Sequence, residues 1–394
     1  MGISLEGTGG ADGPDPGGWH FGQNGGADTM RRAGWSPTER SMSHIVHVVG
    51  TGTIGEPLIG LLADYRDAFG IDEVTFHKRT PMVEERAKVK DLVGRGAVLA
   101  VDADRRASFE EIGHNPKLET FEAIERASVV IDCTPAGNAN KVDHYERARG
   151  PLGFLAQGSE FGFGKMYARG INDEALIKSE DRFIQVVSCN THNISVLIKT
   201  LAMDADGEES HLENGRFLCM RRANDISQDG SFIPSPSVGR HDDERFGTHH
   251  ARDAHQLFET LGHDLPVYSS AVKLNTQYMH ALHFSLVLDR NITVSDAIER
   301  LAANPRVALT HKRSANQIFS FGRDHGYYGR ILSQTVVPVE TLAVRNGNEL
   351  VGFCFTPQDG NALLSSIAAT LWYIHPEGAG DRLEVLRRYL FQEV

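Results

Sequence analysis

Residues 44–65, HIVHVVGTGTIGEPLIGLLADY, place three features in a fixed order: an apolar β-branched run, a glycine-rich turn, and apolar residues at helical spacing. Residues 44–49 predict a strand. Gly50, Gly52 and Gly55 follow in G-x-G-x-x-G spacing, and Ile54, Leu58, Ile59, Leu61 and Leu62 mark one face of a helix. The spacing alone is a weak signal. Between a strand and a helix it is the context a dinucleotide-binding turn requires. Gly50 makes the tight turn, Gly52 lets a pyrophosphate approach the backbone, and Gly55 lets helix and strand close up. The helix start then offers free N–H groups to the phosphates. Gly50, Thr51, Gly52, Thr53, Ile54 and Gly55 are therefore the first expected cofactor contacts. Pro57, early in the helix, is tolerated in a first turn.

Working outward, the next strand reads EVTFHKRTP (residues 73–81) and ends without the acidic residue that grips a ribose 2′-hydroxyl. It offers His77, Lys78, Arg79 and Thr80 instead. Positive charge there suits a 2′-phosphate, so NADP as well as NAD is expected, with Lys78 and Arg79 as the discriminating pair. A solvated basic loop is the other reading. SVVIDCTPAG (residues 128–137) and GFLAQGSEFG (residues 153–162) each read as a strand running into a turn. Ligands sit at such carboxyl ends, which adds Thr134 and Gly158 to the expected cofactor contacts. Cys133 reads as structural packing.

Composition narrows the class. The 394 residues are 40% hydrophobic and 23% charged, as in a soluble protein of two domains. No apolar run reaches membrane-spanning length, so no membrane partner is expected. The net charge of -12 argues against a nucleic-acid partner. Cys133, Cys189, Cys219 and Cys354 are far apart, with no C-x-x-C, so neither a disulfide framework nor a metal site is expected, and a reducing cytoplasm fits. Residues 1–42 are rich in Gly, Asp and Pro without hydrophobic period, and are expected to form a disordered N-terminal extension. Met42 directly precedes the first strand, and translation from an upstream start is the favoured origin of that stretch.

One cysteine stands apart. VVSCNTHNISVLI (residues 186–198) puts Cys189 between a β-branched run and a helix-spaced apolar run. Small buried cysteines are usually mere packing. At a helix N-terminus, however, the dipole favours thiolate, and backbone N–H groups can face a developing oxyanion. A thiolate beside a nicotinamide suggests addition to an aldehyde, loss of hydride, and a thioester.

These stretches, with MRRAND, THHARD and AVKLNTQYMHALHF further on, resemble the archaeal-type (class II) glyceraldehyde-3-phosphate dehydrogenases. GTGTIGEPL, HKRTP, VVIDCTPAG, QGSE and VVSCNT occur in family order, and the resemblance runs from residue 43 to about 375. It implies Cys189 as nucleophile and His280 as acid–base. It implies a substrate site at Asn190, Thr191, Arg221, His249 and His250, with Arg222 in the same segment. It also implies a phosphorylated aldehyde and inorganic phosphate as reactants, and a homotetramer. His283 is left as structural. The chain departs from the family where His192 and Asn193 replace a threonine and a glycine. It departs again where Phe161 and Ser159 stand in the QGSEF segment. His192, if protonated, would bring positive charge to the phosphate region. A non-catalytic dinucleotide sensor, or a dehydrogenase for another acidic aldehyde such as a semialdehyde, are the competing readings.

The expected architecture is α/β: a Rossmann dinucleotide-binding domain at residues 43–188 and an α+β catalytic domain at 189–356. The second has a mainly antiparallel sheet containing a long strand at 278–288. By the resemblance, helices in 357–394 complete the first domain. TPQDGNALLSSIAATLWYI (residues 356–374) predicts a helix capped near Thr356, with Pro357 at its start.

Overall fold

Two eight-stranded sheets carry the described residues. The computed structural model describes residues 43–394 except 159, 227–229, 231 and 358. The extension expected over residues 1–42 and the replacement at Ser159 lie outside the described residues.

The first sheet contains β1 (Ile45–Val49), β2 (Glu73–His77), β3 (Val98–Val101), β4 (Leu118–Glu119), β5 (Val129–Asp132), β6 (Gly153–Gln157), β7 (Lys165–Tyr167) and β8 (Phe183–Val186). Their order is β4-β3-β2-β1-β5-β6-β8-β7, and every pairing is parallel. All five residues of β1 are buried, as a parallel strand covered on both faces must be. His47 in its middle is tolerated because its Nδ1 lies 2.7 Å from Thr75 Oγ1 on β2. Connections from β1 go to β2 on one side, while β5 lies on the other. The strand order thus reverses beside β1, which opens a crevice at the carboxyl ends.

The second sheet contains β9 (Leu212–Arg221), β10 (Ser237–Val238), β11 (Val267–Lys273), β12 (Ala281–Leu288), β13 (Val307–Thr310), β14 (Thr335–Pro338), β15 (Ala343–Arg345) and β16 (Glu349–Phe355). Its path is β10-β11-β9-β12-β16-β14-β13, with β15 on β16. Only β11–β9 and β14–β13 are parallel pairs, so the sheet is mainly antiparallel as expected. Along β12, buried and half-buried residues alternate, which turns Leu282, Phe284, Leu286 and Leu288 to the core. Each such side chain contributes roughly 1.5–3 kcal/mol by leaving water.

Two local expectations are corrected. The long strand begins at Ala281, not 278, because Tyr278 takes a positive φ of 72° and breaks the extended run. The last long helix runs Gly360–Ile374, and Asp359, at φ 69°, is its N-cap. Thr356 does not cap it: its hydroxyl accepts a hydrogen bond from Asn193 and faces Asn190. This helix packs on the first sheet. Gln157 Nε2 donates to Ser366 Oγ at 2.7 Å and Tyr373 Oη donates to Asp181 O at 2.6 Å.

Candidate active site

The glycine turn closes on itself. Gly50 has φ 94°, and its N–H donates to His77 O at 3.1 Å. A Cβ on Gly55 would fall 2.1 Å from Gly50 O, so no other residue fits there without moving the turn. A Cβ on Gly52 would meet nothing within 4 Å, so the backbone is open to an approaching phosphate. Thr51 and Thr53 are buried; Thr53 Oγ1 donates to Ile226 O at 2.8 Å and Thr53 O accepts from Arg330 at 2.9 Å. These features fit a dinucleotide pyrophosphate.

The neighbouring loop is built around Asp132, fully buried at the end of β5. Its carboxylate accepts from Thr134 N and Oγ1 (2.8 and 2.6 Å), Asn140 (2.7 Å) and Tyr145 (2.6 Å). Thr134 is therefore held against the glycine turn: a Cβ on Gly50 would lie 2.9 Å from its methyl group. Lys78 and Arg79 separate. Lys78 is buried and its ammonium pairs with Glu85, while Arg79 is exposed. Lys88 also reaches Glu85, at 2.7 Å, and Thr51 O, at 3.3 Å. The two cations hold the Glu85 carboxyl below its ordinary range against the opposing effect of burial.

Cys189 is the first residue of the Cys189–Leu201 helix. Ser188 caps that helix by accepting from Thr191 N at 3.3 Å, a contact typically worth ~1 kcal/mol. A cavity of about 150 Å³ opens there. Cys189, Asn190, Arg221, His249, His250 and His280 line it, with Ile54 of the glycine turn and Gly158 after β6. Residues from both sheets thus meet at one point. Thr191 is not among the lining residues; its hydroxyl lies 2.9 Å from Ser188 Oγ.

The electrostatics overturn one expectation. Burial pushes the Cys189 thiol up to about 12, and the Asp359 carboxylate adds to this, while Arg222 opposes it. With burial the largest influence on it, the resting group is the thiol. Burial holds His280 well below its usual range, and Arg222 and Arg221 reinforce this. Its Nδ1 accepts the Arg222 backbone N–H at 2.9 Å, so the neutral ring carries its proton on Nε2.

His192 is a second correction. It is fully buried, burial lowers it to about 4, and its ring bridges Ser188 O (3.0 Å) and Ser365 Oγ (2.8 Å). It is neutral at physiological pH and brings no positive charge to the phosphate region.

A second, wider basin of about 340 Å³ shares Arg221, His249 and His250 with the first cavity and adds Arg240 and Arg252. The His249 and His250 rings lie 3.9 Å apart. Both ring nitrogens of His250 are buried without a partner among the described residues. Burial lowers His249 to about 4, with Arg221 and Arg252 adding to it. Arg252 also stands 4.2 Å over the Phe161 ring, and this holds the exposed Phe161 at the basin. Arg222 is bound to Asp225 at 2.9 Å and Asp359 at 3.5 Å. Asp225, Asp359, Arg240 and Arg252 were missed in the sequence. THHARD contains Arg252, one helical turn after His249, and that spacing could have found it. Asp359 had no local signal. His283 packs against Phe353 at 4.9 Å, on the sheet and away from both cavities.

No protein-family model matches the chain. Curated relatives do. The glyceraldehyde-3-phosphate dehydrogenase of Pyrobaculum islandicum is 25% identical over 320 residues, covering 77% of this chain and 85% of the relative. Those of Metallosphaera sedula and Methanococcoides burtonii are each 26% identical, covering 77% and 82% of this chain and 85% and 91% of their own length. Similarity over that share of both chains, joined to the two-sheet α/β fold and motifs in matching order, makes this chain similar to the archaeal glyceraldehyde-3-phosphate dehydrogenases along most of its length.

Proposed function

We propose that the protein oxidises a phosphorylated three-carbon aldehyde, glyceraldehyde 3-phosphate, to an acyl phosphate through a thioester on Cys189. The observation that carries this reading is the single cavity lined by Cys189, His280 and Arg221 together with the glycine-turn residue Ile54. A nicotinamide dinucleotide, when bound along the turn, supplies the hydride acceptor. Gly50 to Gly55, Thr134 and Gly158 hold it, and exposed Arg79 is the residue available to a 2′-phosphate.

His280 donates its Nε2 proton toward the aldehyde oxygen and polarises the carbonyl. Cys189 sulfur bonds to the carbonyl carbon, and its proton reaches the oxygen by way of the ring. The carbon then gives up hydride to the acceptor and the hydroxyl releases its proton to water, the one proton the oxidation sets free, which leaves the thioester. An oxygen of hydrogen phosphate attacks the thioester carbon, and the bond to Cys189 breaks as sulfur takes the proton that the phosphate gives up. Arg221 and the unpartnered nitrogens of His250 suit the phosphate oxygens, since guanidinium gives paired charged hydrogen bonds. An anion there also offsets the part of the lowering at His280 that comes from Arg222 and Arg221, while burial, its largest cause, remains.

A homo-oligomer, by family analogy a tetramer, is part of this proposal. The outer face of the second sheet exposes Leu218 and Phe353, which suits a protein contact. The four free cysteines suit a reducing cytoplasm, and no helix among the described residues is long and apolar enough to cross a membrane.

The test is formation of reduced cofactor from glyceraldehyde 3-phosphate, phosphate and either NAD or NADP. Phosphate-dependent turnover is expected. Turnover only with an unphosphorylated acidic aldehyde would reassign the substrate, and dinucleotide binding without turnover of any aldehyde would make the protein a sensor.

A further inference from the structure

A cavity of about 540 Å³ lies apart from the Cys189 site and shares no lining residue with it. Arg169, Arg306, Arg387 and Glu384 line it together with Leu364, Leu390 and Phe391. Two of the guanidinium groups have partners: Arg169 pairs with Asp173 at 3.0 Å and exposed Arg387 with Glu384 at 3.2 Å. Arg306 has none. Its guanidinium makes no hydrogen bond or ion pair among the described residues, and its Nε is buried. It is nevertheless held in place. Its backbone N–H donates to Asn304 at 3.1 Å, its carbonyl accepts from Gln334 at 2.7 Å, and its guanidinium lies on Gly170. A Cβ on Gly170 would come 2.1 Å from Nε, so the glycine makes room for the flat group.

Removing a guanidinium from water without a hydrogen-bonded partner is costly; burial lowers the Arg306 pKa, and the Asp173 carboxylate, already paired with Arg169, offsets this only in part. A fold keeps such a group where a ligand supplies the missing charge. We propose that Arg306, flanked by Arg169 and Arg387, forms a second binding site for a small organic phosphate monoester. The phosphate lies on the guanidinium fork and the organic part against Leu364, Leu390 and Phe391. Planar, fixed guanidinium donors match phosphate oxygens bidentately, and the apolar wall rewards a ligand with a hydrophobic body over a bare ion.

Phenyl phosphate is the probe, titrated calorimetrically into the full chain. Because the Arg221 basin also attracts phosphates, the titration is done in an Arg221→Ala background. A binding event is expected there, weakened by roughly tenfold or more when Arg306→Met is added. Phenol and inorganic phosphate should each bind more weakly than phenyl phosphate. Arg306→Met alone should leave the ligand-free melting temperature unchanged or raised, because no native partner is lost. A clear fall in that temperature would show that Arg306 has a structural partner and would overturn the site. So would equal affinity with and without Arg306, or no binding in the Arg221→Ala background. Phenol binding as tightly as phenyl phosphate would remove the anion from the proposal. Inorganic phosphate binding as tightly would remove the organic part.

Discussion

The backbone N–H of Arg222 donates to Nδ1 of His280 at 2.9 Å, which fixes the tautomer of the ring that shares a cavity with Cys189. The same residue's guanidinium, close enough to depress His280, is held by Asp225 and Asp359. Arg222, just past the end of β9, therefore sets the proton's place on His280 and adds to the burial that makes the ring reluctant to take a second one.

His280→Asn should keep the fold and lose ~10²-fold or more of the rate, the usual contribution of a positioned acid–base. His280→Gln should retain more than His280→Asn, because only the longer amide can place an N–H near the former Nε2. Steady-state rates of both variants check this. Equal losses would mean that the donor at Nε2 plays no part.

Cys189→Ala should abolish aldehyde oxidation while dinucleotide affinity, measured by fluorescence titration, stays unchanged. In the native enzyme without substrate, burial keeps Cys189 as a thiol at neutral pH. Its alkylation by iodoacetamide should accelerate about tenfold per pH unit from 7 to 10, following the thiolate fraction. A plateau near pH 7 would mean that the thiolate is already formed.

Lys78→Ala and Arg79→Ala should differ. Lys78 is buried against Glu85, so its loss takes away one of that carboxylate's two cations and lowers the melting temperature, with similar effects on NAD and NADP. Arg79 is exposed, and its loss should weaken NADP alone. Dissociation constants for both cofactors decide between this and a shared role.

Stability should fall as pH drops below 6.5. Burial lowers His47 to about 3 and His192 and His249 to about 4, so they stay neutral in the folded chain while the unfolded chain takes up protons. The unfolded state then binds more protons, and each such histidine removes ~1.4 kcal/mol of stability per pH unit between 6.5 and its folded value. The loss is fully developed near pH 4 for His192 and His249. Urea unfolding at pH 7.5, 6 and 5 measures the slope, and His192→Gln should make it shallower. A flat profile would show that these rings are protonated in the folded state.

The sequence by itself determined the strand–turn–helix at residues 45–64, the parallel first sheet and the position of Cys189 at a helix start. Each rests on local rules: apolar period, glycine spacing, and the switch from a β-branched run to helix-spaced apolar residues. The motif resemblance pointed to Arg221, His249, His250 and His280, which the fold brings to one cavity. Only the tertiary structure decided how those groups are charged. Helix position alone argued for a Cys189 thiolate and allowed a cationic His192, yet burial reverses both, because desolvation depends on what packs around a group from distant segments. Lys78 read as a free cation, and Glu85, seven residues on, neutralises it. Asp359 joins the site from a loop more than 160 residues after Cys189, in a left-handed conformation that the sequence around it did not announce. Local pattern fixes which segments become strands and helices; the field at a side chain is the sum over everything the fold packs against it.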